Sequence, residues 1–127
     1  MLVYVCHAYS KDPVGNTGKV KAICADLIAN DMTPVAPQLY FPQLFDETTQ
    51  RPQVMAACID LMEHCDHIFI YGDELTDGMK QELGVAYQKG KMVENHSSLP
   101  IAVVPAPDNG PFVVSLAEGV SDVPVAG

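Results

Sequence analysis

Residues 68–72, Ile-Phe-Ile-Tyr-Gly, followed closely by Thr76-Asp77-Gly78-Met79 and Glu82-Leu83-Gly84, constrain this chain more than any other stretch. An apolar, β-rich run that breaks at a glycine and reopens with helical spacing reads as a buried strand feeding a helix. Such a unit belongs to an open parallel α/β sheet, in which ligands bind in the crevice beyond the carboxyl ends of the strands. Glu82, in the first two turns of that helix, is therefore expected near the rim of the sheet.

The other elements fit the same architecture. Residues 2–6 read as the first strand, and residues 7–18, with Pro13, Gly15 and Gly18, as a loop. From Lys19 onward Val20, Ile23, Cys24, Leu27 and Ile28 recur at helical spacing, and the helix is expected to stop near Asn30 and Asp31. Residues 33–36 form a short second strand. Residues 37–49 gather Leu39, Tyr40, Phe41, Pro42 and Phe45 into an ordered loop able to floor a pocket. A helix over 53–64 carries Val54, Cys58, Leu61 and Met62 on one face and leads into a strand over 67–71. After a turn through Gly72 and Asp73, a helix over 77–89 has Met79, Leu83, Ala86 and Tyr87 as its apolar positions and Gly90 as its stop. Residues 101–104 read as a fully buried strand, and 112–116 as a candidate for one more.

Strands alternating with helices predict an α/β fold: a single-domain three-layer sandwich with a parallel, flavodoxin/Rossmann-like sheet of about five strands. Residues 1–106 are assigned to this domain. Residues 107–127, rich in Pro, Gly and small apolar side chains, are assigned to a C-terminal extension that is mobile or contacts a partner.

A chain of 127 residues suits one domain with a sizeable core. Seven basic against sixteen acidic residues leave a net charge of −9, with Arg51 the sole arginine, so binding to nucleic acid polymers or acidic membrane surfaces is disfavoured. No apolar run approaches the length of a membrane span, and the N-terminus has no signal-peptide pattern. Cys6, Cys24, Cys58 and Cys65 fall inside apolar strand or helix patterns and read as reduced core residues, which fits a cytoplasmic protein.

Two apparent motifs fail on spacing. Gly15-Asn16-Thr17-Gly18-Lys19 has two residues between its glycines and Val20 after the lysine, where a phosphate loop needs four and a Ser or Thr; it reads as a turn leading into a helix. Cys58, His64, Cys65 and His67 do not place four ligands around one point, so no metal is expected. Asp66 precedes its strand and is expected at the amino-terminal rim in a turn or cap role. Tyr4, taken alone, reads as a core tyrosine with its hydroxyl tied off.

Taken together, Val3-Tyr4-Val5, Cys65-Asp66, Thr76-Asp77-Gly78-Met79, Glu82-Leu83-Gly84-Val85-Ala86 and Gly90-Lys91 resemble the nucleoside 2-deoxyribosyltransferase superfamily, over roughly residues 2–93. That superfamily includes deoxynucleoside 5′-monophosphate N-hydrolases and small phage-type members. The resemblance implies cleavage of an N-glycosidic bond or deoxyribosyl transfer on a small nucleoside or nucleotide, without a cofactor, by a homo-oligomer. It assigns Glu82 as nucleophile and Tyr4 as the phenol that hydrogen-bonds it. A carboxylate nucleophile divides one hard displacement into two easier steps. Substrate binding falls to His7, Thr76, Asp77, Gly78 and Met79. Thr76, with its hydroxyl, leans toward a 5′-phosphate, whereas Asp73, Glu74 and Asp77 oppose one. The acid expected to assist the leaving base falls on Cys58, with Asp60 the nearest carboxylate. Asn95, Ser97 and Ser98 are candidates for a residue donated to a neighbouring subunit. The alternative is a non-catalytic module on the same fold that binds a nucleotide-like ligand.

Overall fold

Five residues rich in β-favouring side chains open the chain as β1 (Leu2–Cys6), the strand on which the other layers assemble. A computed structural model describes residues 1–46 and 48–117. After β1 come α1 (Pro13–Ala29), β2 (Thr33–Val35), two 3₁₀ turns (Pro37–Leu39 and Phe41–Gln43), α2 (Arg51–Glu63), β3 (His67–Ile70), α3 (Asp77–Gln88), β4 (Met92–Asn95), β5 (Ile101–Val104) and β6 (Val113–Leu116). The first four strands form a parallel sheet in the order β2-β1-β3-β4, with Tyr4 opposite both Val35 and Ile68, and Ile68 opposite Val93.

Alternation along the strands divides the core in two. Val3, Val5 and Phe69 pack with Val20, Cys24 and Leu27 of α1 on one face. Tyr4, Cys6, Ile68 and Ile70 pack with Met62 of α2 and Met79, Leu83 and Ala86 of α3 on the other. The result is a three-layer α/β sandwich with a parallel sheet. Asp66 joins the starts of β1 and β3: its carboxylate accepts from the Leu2 N–H at 2.8 Å, and its own N–H donates to the Leu2 carbonyl at 2.9 Å.

Three elements differ from expectation. α1 begins at Pro13, inside the stretch read as a loop, so Gly15 and Gly18 are helical and not turn residues. Asp12 caps the helix by accepting from the Gly15 N–H at 3.1 Å, and Pro13 sits in the first turn, where a missing N–H costs nothing. Asp12→Ala is expected to cost about 1 kcal/mol of stability, measured by chemical denaturation. β4 was not expected, because Met-Val-Glu-Asn contains one β-branched residue; backbone pairing with β3 at the sheet edge holds it.

The third difference is β5. It is not a fifth parallel strand but pairs antiparallel with β6, and it is partly exposed, with Val104 57% accessible. Only residues 96–100 separate it from β4, whereas a parallel return needs a dozen or more residues. The β5–β6 hairpin packs over α3: Val114 is buried in the second core, and the Phe112 N–H donates to the Gly84 carbonyl at 3.0 Å. β6 lies beyond residue 106, and residues 118–127, the last part of the expected extension, fall outside the described residues. Among the described residues no helix is long and apolar enough to cross a membrane.

Candidate active site

Met79, Glu82, Leu83 and Ala86 follow helical spacing on α3, so the glutamate shares the stripe that packs against the sheet. Tyr4 and Cys6, two residues apart on β1, present their side chains to that stripe. The Tyr4 hydroxyl donates to Glu82 Oε2 at 2.7 Å, and the Cys6 thiol donates to Oε1 at 3.7 Å. Each carboxylate oxygen therefore has one donor, a strong phenol on one side and a weak thiol on the other.

Burial pushes the Glu82 carboxyl up to about 7, against the opposing pull of the Tyr4 and Cys6 hydrogen bonds and the Arg51 charge. Burial, followed by the field of Glu82, also pushes the Tyr4 phenol and the Cys6 thiol upward, so both remain protonated donors. Removing the strong donor must raise the carboxyl further, since that bond favours the anion. Tyr4→Phe is thus expected to move the Glu82 titration above about 7, read by ¹³C NMR of the labelled carboxyl.

These groups lie in a cleft of about 620 Å³, open mouth included. The wall comes from three places. The loop after β1 brings His7, Tyr9 and Ser10; the 3₁₀ region brings Pro37, Gln38, Phe41 and Pro42; α2 brings Arg51, Val54, Met55 and Cys58. Thr76, Gly78 and Met79 close it at the start of α3. Thr76 caps that helix, its Oγ1 accepting from the Met79 N–H at 3.2 Å. Gly78 leaves room for the guanidinium, since a Cβ there would stand 2.9 Å from Arg51 Nη2.

Of the residues singled out from sequence, Tyr4, Glu82, His7, Thr76, Gly78 and Met79 all line this cleft. Asp77 does not: in the first turn of α3 its side chain is 94% exposed and faces Lys80 at 4.0 Å. Asp60 is exposed on α2, while Cys58, two residues earlier, is in the wall. Cys58 is accordingly a wall residue, unlike the buried Cys6, Cys24 and Cys65. Sequence reasoning passed over Cys6, although a position two residues beyond Tyr4 must share its face. It also passed over Gln38, which carries no local signal: its amide donates to the His7 carbonyl at 3.1 Å, leaving a buried Oε1 without a partner. Among the described residues no group of three or more His, Cys, Asp or Glu is arranged to hold a metal.

A family described as a domain of unknown function, DUF7768, matches residues 1–96. The chain belongs to this family. A search of curated proteins finds no match. Among solved structures, this DUF7768 protein is similar to a 2-deoxyribosyltransferase of Leishmania mexicana, at 18% identity and a TM-score of 0.60, over 87% of this chain and 77% of the other. It is also similar to a 2-deoxyribosyltransferase of Bacillus psychrosaccharolyticus, at 24% identity and a TM-score of 0.56, over 76% and 72% of the two chains. At these identities the likeness is one of architecture: the DUF7768 domain has a 2-deoxyribosyltransferase-like fold.

Proposed function

We propose that this protein cleaves the N-glycosidic bond of a small nucleoside or nucleotide, with Glu82 as nucleophile and Tyr4 orienting it, and passes the sugar to water or to a second base. The observation that carries the reading is the 2.7 Å bond between Tyr4 and Glu82 inside a cleft at the sheet rim. A carboxylate held by one strong donor keeps a defined orientation, and Oε1, bonded among the described residues to a thiol at 3.7 Å, is the better nucleophile of the two oxygens. Attack by Oε1 on the anomeric carbon gives a glycosyl ester, which the acceptor then resolves.

Nucleotides suit the cleft better than free nucleosides. Arg51 and the capped start of α3 line it together, and helix N-termini attract phosphate. Asp73, Glu74 and Asp77, expected to oppose a phosphate, are not among its lining residues: Asp73 and Asp77 are exposed and Glu74 pairs with Lys11 at 3.0 Å. The resemblance further implies a homo-oligomer.

Incubation with a panel of 2′-deoxynucleosides and their 5′-monophosphates, followed by chromatography for released base, tests the reading. Release that requires Glu82 supports it. Tight binding of a nucleotide with no release supports a non-catalytic binding module instead.

A further inference from the structure

We propose that the cleft acts on N-glycosides whose leaving heterocycle carries a fixed positive charge, such as an N-alkylated purine or a pyridinium, in preference to neutral nucleobases. This rests on the glycosidic reading above and concerns which leaving group that chemistry can expel.

Retaining glycoside chemistry on a neutral leaving group uses two carboxyls about 5–5.5 Å apart, the second protonating the departing atom. Among the described residues lining this cleft, Glu82 is the only carboxylate. α2 supplies Arg51, Val54, Met55 and Cys58 to the wall, one face of the helix over two turns. It runs opposite to the strands, so Arg51 stands at the mouth and Cys58 about 10 Å deeper. Asp60, turned about 200° from Cys58 around the helix axis, is exposed.

The other groups are poor acids for this step. Tyr4 and Cys6 direct their protons to Glu82. His7 Nδ1 faces a carbonyl, that of Ala8 at 2.7 Å, and Nε2 turns toward Gly72, 3.2 Å from where a Cβ on that residue would stand. A guanidinium does not release its proton, and a thiol such as Cys58 is a weak donor.

A cationic heterocycle needs no acid. Glu82 Oε1 bonds to the anomeric carbon while the carbon–nitrogen bond breaks; its electron pair neutralises the ring, which departs without a proton. Water then bonds to the same carbon, the ester bond breaks with its pair returning to Glu82, and one water proton passes to solvent. The chain's net charge of −9 favours a cationic ligand, and Tyr9 and Phe41 in the wall offer aromatic faces to one.

The test uses matched pairs: 2′-deoxyguanosine 5′-monophosphate and its N7-methylated form, and the corresponding nucleosides, at pH 6.5, with spontaneous release subtracted. The expected result is a kcat/KM at least about 10²-fold higher for the methylated member of a pair, the size of the missing acid's service. Cys58→Asp is expected to narrow the ratio between the two members of a pair by on the order of 10²-fold, through faster release from the parent compound. Parent compounds released within tenfold of their methylated partners by the unaltered protein would overturn this proposal and leave the glycosidic reading standing. No release from either member would overturn both.

Discussion

Glu82→Gln should abolish base release while making the protein more stable at alkaline pH. The amide keeps the shape of the carboxylate and still accepts from Tyr4, but it cannot bond to an anomeric carbon, so kcat/KM is expected to fall by at least about 10³-fold. The stability effect follows from burial. The Glu82 carboxyl lies at about 7 in the folded protein against 4.5 for an ordinary glutamate. Between these values the native state retains a proton that the unfolded chain has lost, so the contribution of Glu82 to stability is greatest below about 4.5 and declines as pH rises to about 7. The loss is on the order of 2–3 kcal/mol. Gln has no such proton, so the variant should lose that slope and exceed the natural protein at pH 8. Denaturation at pH 4.5 and pH 8 for both proteins measures it. A variant less stable at pH 8, or one that still releases base, would contradict the burial and the role of Glu82 respectively. On the proposed reading, base release by the natural protein should climb with pH through about 7 as Glu82 ionises.

Gly84→Ala should be the most damaging conservative change to the fold. Alanine ordinarily favours a helix interior over glycine by about 1 kcal/mol, so an exposed site would gain. Here a Cβ would stand 2.5 Å from the Phe112 carbonyl oxygen, a backbone atom that cannot rotate away. The hairpin must move, the Phe112–Gly84 hydrogen bond is lost, and Val114 is drawn from the core. A net cost of about 2–4 kcal/mol is expected, visible as a lower denaturation midpoint. Enhanced proteolysis within 101–117, relative to the rest of the chain, would place the damage at the hairpin; unchanged stability would refute the contact.

The positions of these residues explain which parts were legible in advance. Hydrophobic periodicity is a local property, and β1, α2, β3 and α3 emerge from it with ends displaced by a few residues. Glu82 stood out because it follows a strand that breaks at Gly72 and lies in the first two turns of the next helix, where a side chain is near the sheet rim. The α1 start was misread because Asp12-Pro13 carries two meanings, loop and helix cap, and only the hydrogen bond from Gly15 separates them. β4 was missed because edge strands are held by backbone pairing, to which Met-Val-Glu-Asn contributes no side-chain pattern.

By itself, the sequence determined the alternation of strands and helices and the acidic charge, because these are read from neighbouring residues or from composition; the meeting of Tyr4 with Glu82, far apart in the chain, was an expectation from the family resemblance alone. Tertiary structure alone decided that Cys6 shares Glu82 with Tyr4, that Gln38 and Arg51 join the wall, that Asp77 turns outward, and that β5 turns back on β6. Those outcomes depend on which distant surfaces meet and how much water they exclude, and a one-dimensional pattern carries neither.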